Sequence, residues 1–421
     1  MSEDIALIFA YHFPPENAIG ALRPFRFCKY LTRLGYRCHV ISAADVSKVP
    51  EISARSVADP FVENAGQGIG WQFERAVRRF LLPGAVGTQW ALQAYRAAVD
   101  FIDKNPHARI TIFSTFPPVG VHLAAYCLAR RKRLPWIADF RDPLADNPVY
   151  NHISPLTKSI YRKLEKIIVQ AADFVIANTD TAQQKLRRAY PGRADRIQLI
   201  WNGFDPEDRL TPLPVTPGER KILAHVGVLY GGRSVAPILE SVGRLINAGK
   251  LSATDFRVSL AGPVVEGSLP GRDFVGAACA QGWLEVNDQQ VPQKEARDIM
   301  RSAHALLLVQ PQSVLQVPGK LYEYLQIGRP ILAYVPPNSP VERILARSGV
   351  PYQCVYPSTS PNEFDQAILQ FLQFRQPEHA PNDWFESQFN ALSHAQKVSD
   401  LIQLVHRARV PAQGLSEAVQ D

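Results

Sequence analysis

Ile222-Leu223-Ala224-His225-Val226-Gly227-Val228-Leu229-Tyr230-Gly231-Gly232-Arg233-Ser234 is an apolar, β-rich run that leaves through three glycines and an arginine into a helix-length segment. Strand, glycine-rich turn and helix in that order open a parallel βα unit. Glycines let a backbone approach an anion, and a guanidinium adds two charge-assisted hydrogen bonds. The spacing lacks the Lys-Ser/Thr pair of a P-loop and the Gly-x-Gly-x-x-Gly of a dinucleotide fingerprint. ATPase and dehydrogenase chemistry are therefore disfavoured.

The same alternation extends in both directions and makes the chain α/β. Strands are predicted at 5–10, 37–42, 109–114, 136–139, 174–178 and 197–200, and again at 222–227, 256–261, 304–309 and 330–335. Helices fill the gaps. The first is expected to begin near Arg23, because Pro24 suits a first-turn position, and to end at Gly35. The stretch 205–219 carries Pro206, Pro212, Pro214 and Pro217 without apolar periodicity and reads as a linker. Phe385, Phe389, Leu392, Val398, Leu401 and Val405 recur at helical spacing and predict one long closing helix.

At 421 residues the chain exceeds what one hydrophobic core usually supports, so two domains are expected. They are residues 1–205, completed by about 385–410, and residues 206–384, with 411–421 as a flexible tail. An apolar share of 46% with 20% charged residues is that of an ordinary globular protein. No apolar run is long enough to cross a bilayer, and the start lacks the pattern of a secretory signal, so a cytoplasmic address is expected. Five cysteines, far apart and without a Cys-x-x-Cys pair, read as reduced thiols. The net charge of +7 brings no nucleic-acid-binding motif with it, and no nucleic-acid partner is expected.

Ligands of open parallel sheets sit beyond the carboxyl ends of the strands, so the loops there hold the candidates. The first runs from Tyr11 through His12, Phe13-Pro14-Pro15, Glu16 and Gly20 to Arg23. Gly20 is either a plain turn or a place for a phosphate at a helix start. Asp139-Phe140-Arg141-Asp142-Pro143 crowds three charges at a sheet mouth, as an ion pair or as ligand contacts. Asn202-Gly203-Phe204-Asp205 is an equally plain turn. Val317-Pro318-Gly319-Lys320-Leu321-Tyr322-Glu323 sets an ammonium and a carboxylate one helical turn apart, where lysine suits a diphosphate and glutamate suits ribose hydroxyls.

In order and spacing these runs resemble the family-4-like bacterial glycosyltransferases of the GT-B fold, over nearly the whole chain. The resemblance rests on Phe13-Pro14-Pro15…Gly20…Arg23, on 139–143, on 202–205, on Gly231-Gly232-Arg233 and on Lys320-x-x-Glu323-Tyr324…Gly328-Arg329-Pro330. It implies two Rossmann-like domains facing across a cleft, with the C-terminal helix crossing back to the first. It also implies a nucleotide-diphosphate-sugar donor held by the second domain, retaining transfer without a metal or cofactor, and a glycan or lipid-linked acceptor on the first domain. Cell-envelope polysaccharide synthesis is the expected setting, and the nucleobase, UDP among the candidates, stays open with the sugar and the acceptor.

Carried over by position, Gly20, Arg23, Asn202, Gly227, Tyr230, Gly231, Gly232, Arg233, Val317, Pro318, Lys320 and Glu323 are donor-side candidates. His12, Glu16, Asp139 and Arg141 are acceptor-side candidates. Asp139, Arg141, Asp142, Arg233 and Lys320 are the candidates for catalysis, with no metal site. Leu315 stands where members of the family often carry the first of two glutamates, and Ser234 replaces the lysine that commonly follows the loop arginine. A sugar-nucleotide epimerase of the same fold and a non-catalytic nucleotide-sugar-binding subunit stay open as alternatives. Arg75, Arg78 and Arg79 beside Trp71, Phe73 and Phe80, with Arg130-Arg131-Lys132-Arg133, suggest docking at an anionic membrane surface or, for 130–133, a solvated helix end.

Overall fold

Short runs of Val, Ile, Leu and Phe that are apolar at nearly every position pair as parallel strands buried on both faces. The computed structural model describes residues 3–16, 19–49, 52–59, 87–145, 155–215, 218–230, 232–373 and 380–409. Contacts divide the chain into two units, Met1–Trp201 with Ala391–Asp421 and Asn202–Asn390.

In the first unit β1 (Asp4–Phe9), β2 (Arg37–Ser42), β3 (Ser53–Ser56), β4 (Arg109–Phe116), β5 (Trp136–Phe140), β6 (Phe174–Ala177) and β7 (Ile197–Leu199) form one parallel sheet. Its strand order is β3-β2-β1-β4-β5-β6-β7. Among the described residues its helices include α1 (Ile19–Arg33), α2 (Thr88–Asp103), α3 (Gly120–Lys132), α4 (Pro155–Ala171) and α5 (Asp180–Ala189). Trp90 of α2 and Leu128 of α3 cover one face of the sheet with Leu7 and Ile112, while Phe27 and Leu31 of α1 cover the other with Ile8 and Val40.

Helix α1 begins at Ile19, earlier than expected, and holds Pro24 inside it. A proline there has no N–H for the carbonyl four residues back, which is that of Gly20. That oxygen accepts instead from Nη1 of Arg141, so the helix starts before its proline without stranding a half-buried carbonyl.

The second unit has β8 (Lys221–Val226), β9 (Phe256–Ala261), β10 (Leu284–Asn287), β11 (Ala305–Val309), β12 (Ile331–Tyr334) and β13 (Tyr352–Val355), again all parallel. The order is β10-β9-β8-β11-β12-β13. Helices α6 (Ala236–Asn247), α7 (Arg272–Ala280), α8 (Gln293–Ser302), α9 (Lys320–Ile327), α10 (Pro340–Ser348), α11 (Pro361–Leu372) and α12 (Asp383–Phe389) complete it. The edge strands β3, β10 and β13 went unpredicted, since short polar edges such as Ser53-Ala54-Arg55-Ser56 carry little periodic signal.

The single closing helix is in fact two. After α12 the backbone of Asn390 is extended, at φ −74° and ψ 127°, and α13 (Ala391–Arg409) starts anew. The break has a cause: Phe204 donates its N–H to the carbonyl of Phe389 at 2.9 Å and forms a β-bridge with Asn390. Phe385 and Phe389 belong to the second unit, where Phe385 stacks on Phe204 at 5.2 Å. The apolar residues of α13, among them Ala395, Val398 and Ile402, pack beside α1 in the first unit. The segment 411–421 lies outside the described residues.

Candidate active site

An open parallel sheet has one place where its strand order reverses, and the loops leaving the two strands there diverge to opposite faces and open a crevice. In the second unit that place falls between β8 and β11, and in the first between β1 and β4. Three of the sequence-derived loops, those after β1, β8 and β11, leave from these strands.

At the end of β8, Gly227 has φ +120°, and beside it, past β9, Gly262 has φ +129°. The two backbones touch: a Cβ on Gly262 would lie 2.8 Å from the carbonyl carbon of Gly227. A Cβ on Gly227 would lie 2.7 Å from Nζ of Lys320. Bare backbone on one side thus meets an ammonium on the other. Lys320 is the first residue of α9, so the helix start aims it across the crevice toward β8.

Its ammonium donates to the carbonyl of Val226 at 2.7 Å and lies 3.4 Å from Nε2 of His225. His225 is buried, and its Nδ1 lies 3.0 Å from the carbonyl oxygen of Leu307. A carbonyl only accepts, so Nδ1 carries the proton and Nε2 turns a lone pair toward Lys320. Burial first, then the charge of Arg233, push the Lys320 ammonium down to about 7, while Glu323 works the other way. Burial, and next the neighbouring Lys320 charge, hold the His225 imidazole well below its ordinary range, so it is neutral.

Arg233 lies close enough for its charge to be felt by both Lys320 and His225. Its guanidinium covers the ring of exposed Tyr230 at 4.6 Å, and its N–H donates to the Tyr230 carbonyl at 3.0 Å. Gly232, at φ +82°, leaves room for the side-chain amide of Gln312, which a Cβ would meet at 1.8 Å. Gly231 lies outside the described residues. Glu323 stands 3.8 Å from Nε of Arg297, whose other nitrogens bind Asp208 at 3.0 and 2.7 Å. Val317 and Pro318 are buried ahead of α9, and Asn202 is half-buried where the unit begins. A surface cavity of about 480 Å³ along α8 and Leu213 contains none of these residues in its lining.

The first unit gathers the other group. Arg23 grips the carboxylate of Asp139 through Nε and Nη2, at 3.0 and 2.8 Å, and also donates to the carbonyls of Trp201 at 2.6 Å and Ile200 at 2.9 Å. Thr115 adds a third hydrogen bond to Asp139 at 2.8 Å. Both charges are buried. The geometry ties Arg23 and Asp139 into the frame that joins α1, β4, β5 and the end of the unit.

Arg141 is buried too and bonds to backbone alone: Nε to Phe116 at 2.9 Å, Nη2 to Pro117 at 2.7 Å and Nη1 to Gly20. Burial lowers its pKa, the charges of Asp142 and Asp139 oppose this, and Arg23 adds to it. Asp142 is half-exposed beside it. His12 and Glu16 pair at 2.8 Å in the loop after β1.

Three contributors lay outside the sequence reading: His225, Gln312 and Gly262. His225 had a signal, as the polar residue in an otherwise apolar strand that must find a buried partner. The other two act through contacts between segments distant in sequence. Of the basic segments, 75–79 lies outside the described residues, and Lys132 at the end of α3 pairs with Asp103 at 2.7 Å. Among the described residues no helix is long and apolar enough to cross a membrane.

The model of Glycosyltransferase Family 4 matches residues 24–208, which span most of the first unit. No curated protein sequence matches the chain. Solved structures match over nearly its full length. A sucrose-phosphate synthase from Thermosynechococcus elongatus is 13% identical, with 96% of this chain and 100% of that one covered, at a TM-score of 0.65. The trehalose-6-phosphate protein from E. coli bound with UDP-2-fluoro glucose is 13% identical, covering 95% and 99%, at 0.63. Anabaena HepE in complex with UDP-glucose is 14% identical, covering 96% and 98%, at 0.54. At such identities the likeness is one of fold. Residues 24–208 are thus similar to Glycosyltransferase Family 4, and the chain shares with these solved structures a fold of two Rossmann-like domains.

Proposed function

We propose that the chain transfers a sugar from a uridine-diphosphate sugar to a hydroxyl of a glycan or lipid-linked acceptor, with retention at the anomeric carbon and without a metal. One observation carries the reading. Lys320 and Arg233 bring two cations to the crevice of the second unit, beside the bare backbone of Gly227.

Breaking a glycosyl–phosphate bond leaves the bonding pair on the diphosphate, and fixed cations stabilise that growing charge. The acceptor oxygen bonds to the anomeric carbon, and its proton passes to the departing diphosphate. Glu323, steadied by Arg297, takes the donor ribose hydroxyls. The uridine is suggested by the UDP sugars in the HepE and E. coli structures. The acceptor belongs to the first unit, near His12, Glu16 and Asp142 at the β1 and β5 ends, with Arg23, Asp139 and Arg141 holding that surface in shape.

A cell-envelope glycan setting on the cytoplasmic face of a membrane fits a lipid-linked acceptor, and exposed Arg130, Arg131 and Arg133 offer charge for anionic lipid. Co-sedimentation with phosphatidylglycerol vesicles, absent with phosphatidylcholine alone, would support that part of the reading. The activity is tested by a thermal-shift panel of nucleoside diphosphates and nucleotide sugars, because a ligand specific to the folded state raises its melting temperature. UDP and a UDP sugar should raise it, with EDTA present. A panel in which no nucleotide shifts the melting temperature would overturn the proposal.

A further inference from the structure

We propose that His225 is a positioning residue for Lys320 and sets the pH at which the second unit accepts a donor diphosphate. The inference rests on the reading that Lys320 meets that diphosphate, and deepens it.

The chain of contacts is short. Leu307 ends its carbonyl between two buried donors, Nδ1 of His225 at 3.0 Å and the hydroxyl of Tyr324 at 3.4 Å. The first contact fixes the imidazole as the Nδ1–H tautomer. Nε2 is then an acceptor, 3.4 Å from the Lys320 ammonium, and the Val226 carbonyl is a second acceptor at 2.7 Å. Two of three N–H directions are taken by β8, which leaves one for a ligand in the crevice. An ammonium on a four-carbon stem loses much rotamer freedom when so held, and the frame removes that loss from the binding step.

The same frame decides when the nitrogen is charged. Groups facing it from the surrounding elements are His225 on β8, Arg233 in the loop after β8, and Glu323 and Tyr324 on α9, with Arg297 of α8 behind Glu323. Burial and Arg233 disfavour the ammonium; Glu323 favours it. Two lone pairs, from His225 and Val226, accept only from a nitrogen that carries protons in those directions. Because Lys320 titrates at about 7, the donor meets a cation below that pH and a neutral amine above it. A hydrogen bond to the charged form raises a pKa, so removing Nε2 lowers the midpoint.

The test uses UDP-glucose, whose diphosphate stays fully ionised from pH 6 to 9, and calorimetry on the full chain. Wild-type affinity should fall about tenfold per pH unit above the midpoint, as the ammonium fraction does. His225→Phe should move the midpoint down by about one unit, the worth of one hydrogen bond to a charged group. His225→Gln, which keeps an acceptor, should restore most of the profile. Lys320→Met should bind weakly at every pH with no midpoint.

If Lys320→Met loses affinity but His225→Phe keeps the wild-type midpoint, the role of His225 is overturned while the reading of Lys320 stands. If Lys320→Met binds UDP-glucose as tightly as wild type, with the same profile, the reading itself fails. Should His225→Phe not fold, long-range ¹H–¹⁵N spectra of the wild-type imidazole decide. A neutral Nδ1–H ring whose Nε2 shift follows the Lys320 titration supports the proposal, and an Nε2 shift flat from pH 6 to 9 overturns it.

Discussion

Arg141 donates from Nη1 to the carbonyl oxygen of Gly20, the acceptor that Pro24 leaves without its helical partner. Gly20 has no side chain to interfere, and a Cβ there would come within 2.6 Å of the same nitrogen. With its bonds to Phe116 and Pro117, Arg141 fastens the first turn of α1 to the end of β4.

Replacing Arg141 by Met takes the side-chain donor from the half-buried carbonyls of Gly20 and Pro117, while Phe116 keeps the backbone N–H of residue 141, and should cost about 2 kcal/mol or more of stability. In the Pro24→Ala background the restored N–H can reach Gly20, so the cost should shrink by about 1 kcal/mol, a coupling that urea unfolding of the four proteins measures. Strict additivity would show that the two residues do not share that carbonyl.

Asp139 sets a different test. Asp139→Ala leaves the buried Arg23 guanidinium without its carboxylate and should lower stability by about 3–5 kcal/mol in urea unfolding. Asp139→Asn keeps the shape, loses the charge, and should fall between. Variants that unfold at the wild-type urea concentration yet transfer no sugar would give Asp139 a chemical role instead of a framing one.

Lys320 links stability to pH. Its folded value of about 7 lies below the ordinary 10.5, so between those two pH values the unfolded chain holds a proton that the folded chain has released. Stability from this residue therefore rises as pH climbs from 7 toward 10.5, and its penalty is complete below 7. Urea midpoints of wild type and Lys320→Met, compared from pH 6 to 10, should diverge on the acid side and converge on the alkaline side. Parallel curves would refute the burial of a charged lysine.

Gly227→Ala forces a left-handed φ of +120° on a residue with a side chain and drives a Cβ against Nζ of Lys320. A stability loss of about 1–3 kcal/mol is expected. UDP-glucose affinity should drop more than tenfold, since the ammonium must leave its place. Gly232→Ala should instead expel the Gln312 amide, with a smaller loss of stability because that side chain has an exposed end.

Both sheets were legible because most buried parallel strands are apolar runs, as at Ala305–Val309, and even Arg37–Ser42 and Phe256–Ala261, which carry polar residues, appear where the residues put them. Lys320 and Gly227 were legible as types, a cation and a glycine beside a strand end. Their contact was not, because it joins residues far apart in sequence. Pro24 misled for a local reason, since its usual place in a first turn gave no hint that Arg141 would serve the orphaned carbonyl. Asn390 misled for a distant one, as only the bridge to Phe204 interrupts an unbroken helical pattern.

Where Gly227 and Gly262 press together, a methyl group on Gly262 would strike the Gly227 backbone and one on Gly227 would push the Lys320 ammonium aside. Any side chain at that spot costs stability or displaces the ammonium, so a designer seeking a new ligand preference gains little by working there. Change has to come from the rim, where Gln312 and Tyr230 reach solvent and exchanges of size, polarity or hydrogen-bonding sense disturb no backbone.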